Sequence, residues 1–261
     1  MRTLDLDQSS RLNFVAKILC TYGWRLTLCG AETRVIVSSV YKMAKALEVQ
    51  YPEVTLTYSS IHIKIADATG HYTTCERTIA KVGINMSSLT RLYKLGCSVE
   101  KGELTDLSEI YHKIRAVRPR SYDKNFLLII ESVAALCFAY CNGGDLKVCI
   151  SALFGGFVLM FFRFMLIKKG YFENFAFMIS SFLGCLTTFL AGYLLAIDGK
   201  NITLALMATT LLLVPGFPYM NGFLDTFKGY MEMGLQRLMY SVLLTTAAFI
   251  GLFGALCVIY V

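Results

Sequence analysis

From residue 125 onward the chain runs through five apolar segments, 125–141, 146–167, 172–197, 202–217 and 238–261. A bilayer core takes about 20 apolar helical residues to cross. The second, third and fifth segments meet that length directly, and the first reaches it with its flanks. The fourth is short unless it runs on through Pro215. Five membrane spans is the simplest count. Composition separates this half from what precedes it. Residues 1–124 carry 18 Lys/Arg and 12 Asp/Glu, against 7 and 6 in residues 125–261. With 56% apolar and only 16% charged residues overall, the chain is unlike a soluble enzyme, a disordered protein or a nucleic-acid binder. The expected fold is an α+β cytoplasmic domain over 1–124, followed by a polytopic α-helical membrane domain of about five transmembrane helices over 125–261.

The first half alternates between two periods. Residues 9–29 read as a helix, with Leu12, Val15, Ala16, Leu19 and Cys20 on one face and Gly30 as its stop. Residues 31–49 resume a helical pattern. Val54–Tyr58 and Ile61–Ile65 then alternate apolar and polar residues as strands do, residues 66–70 supply a turn, and 72–79 reads as a third strand. Segments 86–98 and 104–117 return to helix. About 120 residues are enough to enclose a core.

Charge placement sets an expected orientation. Arg115, Arg118, Arg120 and Lys124 crowd the entry to the first span and Lys168 and Lys169 follow the second, with Lys228 and Arg237 on the same side. The opposite loops offer Lys147 and Lys200. The first half is therefore expected in the cytoplasm and the C-terminus outside. The polar opening, with Asp5 and Asp7, does not read as a cleavable signal. Nine cysteines, none in C-x-x-C spacing, suit a reduced setting better than a disulfide framework. Basic and acidic residues are interleaved in the first half, so the net charge of +7 marks a solvated surface rather than a nucleic-acid partner.

Few residues carry chemistry. Glu131 lies two turns into the first span, where a carboxylate is costly. It is either a proton-coupling or substrate group facing the bundle interior, or an interfacial residue hydrated or paired with Lys124 or Arg163. Arg163 is expected to snorkel to the nearby edge, with attraction of anions as the alternative. Pro215-Gly216-Phe217-Pro218 removes two backbone donors within four residues. At membrane depth such a break belongs to a substrate or ion site; otherwise it is the end of the fourth span. Beyond it Met220, Phe223, Leu224, Phe227, Tyr230 and Met231 form one face of an amphipathic helix, with Asn221, Asp225, Lys228 and Glu232 on the other. That helix either lies along the interface or lines a polar route, with Asp225 and Lys228 as an i,i+3 pair. Small residues four apart, such as Ser151/Gly155 and Ala247/Gly251, permit close helix approach. Glu32, after Gly30, complements a helix dipole, and Asn85, after Gly83, reads as an N-cap. No phosphate loop, dinucleotide fingerprint, nucleophile–base pair or metal-ligand spacing is present, so neither enzymatic activity nor a cofactor or metal is expected.

Gly30-Ala31-Glu32-Thr33, Gly83-Ile84-Asn85-Met86, Asn142-Gly143-Gly144-Asp145 and, above all, Leu211–Pro218 followed by Asn221, Asp225, Phe227-Lys228-Gly229, Gly234 and Leu235 resemble the threonine/serine exporter (ThrE) family, from about Val15 to the C-terminus. The likeness is strongest to its short bacterial branch. Long members join a cytoplasmic domain, a block of about five spans and a second membrane block. The resemblance to the short form implies a two-component secondary exporter in the bacterial inner membrane. Its partner would be a second small multi-span protein of the YjjB type, and self-association of the chain stays open. The split pair is associated with succinate and the long form with threonine and serine. The implied substrate is a small carboxylate, with Pro215, Gly216, Phe217, Pro218, Asn221, Asp225 and Lys228 along its route and Glu131 coupling protons. A membrane-anchored sensor or scaffold is the alternative from another class.

Overall fold

The computed structural model describes residues 2–49, 51–67, 70–80, 82–118 and 122–260, with side chains from Ser9 onward. Arg120, Val261 and the middle of the expected turn at 66–70 lie outside the described residues. The chain is mostly helical with one small sheet, and its contacts divide it into two units. Met1–Ser121 with Met220–Arg237 forms the first, and Tyr122–Tyr219 with Leu238–Val261 the second.

In the first unit, α1 (Arg2–Leu28) and α2 (Thr33–Ala46) precede an antiparallel sheet of β1 (Tyr51–Leu56), β2 (Ser60–Ala66) and β3 (Tyr72–Thr78), in the order β1-β2-β3. Then come α3 (Met86–Glu100) and α4 (Leu107–Ala116). Helix α1 starts earlier than the apolar spacing suggested, because its first two turns are polar and leave no periodic signal. Pairing of Val54 with Ile63, and of Ile63 with Cys75, fixes the register. Ile61, Ile63 and Ile65 are buried while His62 and Lys64 alternate outward. These isoleucines pack with Ile18, Leu19, Tyr22 and Leu26 of α1, Ile36 and Met43 of α2, Leu92 of α3 and Ile110 and Ile114 of α4. Each such side chain contributes about 1.5–3 kcal/mol by leaving water. Met233, far along the chain, completes this core.

The second unit contains α5 (Lys124–Cys141), α6 (Leu146–Lys168), α7 (Glu173–Leu194) and α8 (Gly199–Leu211), with the start of α9 (Gly216–Phe227) and most of α10 (Met231–Tyr260). Helices α5, α6, α7 and α10 are long and apolar enough to cross a membrane. Helices α8 and α9 form a fifth candidate span, bent by 65°. Small residues set the packing. Gly155 and Gly184 meet across α6 and α7, where a side chain on either would overlap the opposite helix. Ser151 Oγ donates to the Thr188 carbonyl at 2.7 Å, and the Thr188 and Thr209 hydroxyls lie 2.9 Å apart. Outward-facing residues such as Ile129, Phe249 and Phe253 are exposed and apolar, as a lipid-facing surface requires. The Asn142–Asp145 motif is a tight turn, in which the Asp145 carboxylate caps α6 by accepting from Val148 N at 2.9 Å.

Two expectations change. The amphipathic helix read over Met220–Glu232 is divided: α9 ends at Phe227, Gly229 adopts φ +88°, and α10 begins at Met231. A positive φ stops one helix and turns the chain into the next. In consequence α10 starts before residue 238 and carries its first turns into the first unit.

Candidate functional site

Three stretches singled out in the sequence meet in the first unit. The link between α1 and α2 is held from one side by Gly83 N, which donates to the Leu28 carbonyl at 3.1 Å, and by Asn85 N, which donates to the Cys29 carbonyl at 3.1 Å. Asn85 also caps α3, its side chain accepting from Ser88 N at 2.9 Å. Burial raises the Cys29 thiol above its ordinary pKa. The other side of the link is held by the turn between α9 and α10. Asn221 Nδ2 donates to the Gly30 carbonyl at 3.1 Å, and Arg237 Nη2 donates to the Ala31 carbonyl at 3.1 Å.

Asp225 is the centre of this junction and is fully buried. Its Oδ1 accepts from Thr33 N at 3.0 Å, and its Oδ2 accepts from Thr33 Oγ1 at 2.9 Å and from Arg237 Nη1 at 2.8 Å. Glu32 stands at the N-cap position of α2 without a side-chain capping bond. Asp225 supplies the anion that the first turn of α2 requires, from a segment almost two hundred residues away. Glu32 instead pairs with Lys228, Oε1 to Nζ at 2.6 Å. The i,i+3 pair read between Asp225 and Lys228 is not formed, because each has a partner outside α9.

A carboxylate buried with a guanidinium, one backbone N–H and a hydroxyl is well satisfied. The junction therefore holds the α9–α10 turn against α2 and offers no free charge to a ligand in this conformation. Thr33 and Arg237 are the members that sequence reasoning missed as site residues. The available signal was Asp225 itself: a carboxylate among Phe223, Leu224 and Phe227 has to find a cation.

Pro215–Pro218 lies elsewhere, in the second unit. Helix α8 ends at Leu211, and Val214 N donates to the Leu211 carbonyl at 3.1 Å in a last turn. Pro215 and Pro218 donate nothing, and Gly216 N turns back to the Val214 carbonyl at 2.8 Å. Among the described residues, the Leu212 and Leu213 carbonyls accept no backbone hydrogen bond. Glu131 is half-buried on α5 and makes no hydrogen bond or ion pair among the described residues, so the expected pairing with Lys124 or Arg163 is not formed.

Residues 17–259 match a family model described as "Putative threonine/serine exporter", ThrE. The chain is 28% identical over 230 residues to "Probable succinate transporter subunit YjjP" of Klebsiella aerogenes, covering 87% of each chain. It is 26% identical over 254 residues to the protein of the same name in Escherichia coli K12, covering 96% of this chain and 97% of the relative. An uncharacterized protein of Haemophilus influenzae is 26% identical over 125 residues, 48% of this chain and 41% of the relative. No solved structure matches. Apolar helices of membrane length and a family match spanning nearly all of the described residues agree: the chain is a multi-pass membrane protein that belongs to the ThrE family.

Proposed function

We propose that the chain is one subunit of a two-component secondary exporter of succinate or a related small dicarboxylate in the bacterial inner membrane. The observation that carries this reading is the broken span. Two prolines and a 65° bend between α8 and α9 leave the Leu212 and Leu213 carbonyls without backbone partners. Irregular backbone of this kind is tolerated in lipid where it lines a cavity or a route for solute. The printed names of the two YjjP relatives supply the substrate and the subunit character. The second membrane protein, of the YjjB type, is the partner in this proposal.

In this account Pro215–Pro218 lines the route and Glu131 couples protons. Asn221, Asp225 and Lys228 are assigned to the route in the same proposal, with their polar atoms engaged by Gly30, Thr33 and Glu32. Arg115, Arg118, Lys124, Lys168 and Lys169 favour a cytoplasmic first unit, with the C-terminus in the periplasm.

The family description favours threonine or serine as a second reading of the substrate. Counterflow into vesicles holding the chain with its partner protein separates the two. Labelled succinate is expected to accumulate against internal succinate, and threonine to leave that accumulation unchanged. Accumulation of threonine alone would transfer the assignment to the hydroxy amino acids.

A further inference from the structure

The second unit holds a half-buried arginine that closes no ion pair among the described residues. Arg163 lies five residues before the end of α6, about 7.5 Å along the helix axis at 1.5 Å per residue. The guanidinium carbon sits 4.7 Å from the centre of the Phe177 ring, which is itself buried. Nη1 points at Met160 Sδ, 3.9 Å away. Nε is buried without a partner, whereas Nη2 is neither buried nor bonded.

Three polar groups come within electrostatic reach of this guanidinium: Glu173 from α7, Glu131 from α5 and the Tyr240 hydroxyl from α10. None closes an ion pair with it. Glu173 instead accepts a hydrogen bond from Tyr240. A guanidinium keeps its proton in proteins, so Arg163 cannot escape the cost of burial by becoming neutral, as a lysine would. A guanidinium in a membrane bundle that closes no ion pair is costly and marks a functional position.

We propose that Arg163 anchors a carboxylate of the transported anion inside the second unit. This assignment rests on the exporter reading above and names the residue that recognises the substrate class. A planar guanidinium fork matches the two oxygens of a carboxylate, which a lysine ammonium does not. The cation–π contact with Phe177 helps to hold the guanidinium in place before the anion arrives. The location agrees with the broken span, because Leu212 and Leu213 pack into the same apolar cluster as Met160, Phe177 and Tyr240. The break and the guanidinium thus border one region of the bundle. Glu131 makes no hydrogen bond or ion pair among the described residues.

The test is succinate counterflow in vesicles holding the full chain and its partner protein, with wild type, Arg163→Lys and Arg163→Met compared at equal, monodisperse protein. Arg163→Met is expected to fall to the rate of empty vesicles. Arg163→Lys keeps the charge and loses the fork, so half-saturation should rise about tenfold or more while the maximal rate is largely kept. A merely structural arginine would show the reverse, a lower maximal rate at unchanged half-saturation, and that result overturns the proposal. Wild-type rates in Arg163→Met overturn it as well while leaving the exporter reading intact. Absence of counterflow in the wild type overturns the exporter reading itself, and this site with it.

Discussion

Two arginines divide the molecule more clearly than its hydropathy does. Arg237, in the first unit, is 4% exposed and is matched in full by the Asp225 carboxylate and the Ala31 carbonyl. Arg163, in the second, rests on an aromatic ring and a thioether and closes no ion pair among the described residues, with Glu173 and Glu131 within electrostatic reach. One guanidinium completes a structure; the other is the one proposed above to take a carboxylate of the transported anion. A buried charge in a membrane protein is therefore not evidence of function by itself. The presence or absence of its counter-charge decides the reading.

The comparison can be broken most easily at the junction. Asp225→Ala leaves Arg237 buried without the carboxylate that balances its charge, which is expected to cost about 3–5 kcal/mol in denaturant unfolding of the full chain. Replacing both, as Asp225→Leu with Arg237→Met, should cost less than either single change, because no orphan charge remains. The second unit should respond to steric rather than electrostatic change. A Cβ on Gly251 would lie 2.1 Å from the Met178 carbonyl oxygen, so Gly251→Ala should destabilise by about 1–3 kcal/mol through forced separation of the helices. Asn85→Ala removes the cap on α3 and should cost about 1 kcal/mol.

A smaller effect comes with pH. Burial raises the Cys29 thiol, so the folded chain keeps that proton longer than the unfolded chain does. Its contribution is complete below the ordinary thiol pKa of about 8.5 and is lost as pH climbs through the raised folded value. Unfolding midpoints measured from neutral to alkaline pH should fall less steeply in Cys29→Ala than in wild type.

Much of the fold was legible because it rests on local period. The strand alternation at Ile61–Ile65, the cap at Asn85 and the long apolar helices all follow from neighbouring residues. The break at Pro215–Pro218 was equally plain, since proline chemistry does not depend on what surrounds it. The junction was not legible in the same way. Glu32, Asn85, Asn221, Asp225 and Lys228 each stood out, but their meeting depends on contacts across almost two hundred residues of chain. Arg237 was hidden by its position, since a basic residue at the start of a long apolar run reads first as an orientation signal. Arg163 reads from its neighbours as a snorkelling residue, and the burial of its Nε depends on packing that those neighbours do not announce.

The most direct measurement is thermal unfolding of Arg237→Met and Arg163→Met beside wild type, each as full chain with its partner protein, with and without succinate. The account predicts that Arg237→Met unfolds well below wild type, because Asp225 loses its cation. Arg163→Met should unfold at or above wild type without succinate and should lose the rise that succinate gives to wild type. An Arg163→Met chain that unfolds as early as Arg237→Met, yet keeps the full succinate-induced rise, would contradict the division between the two arginines.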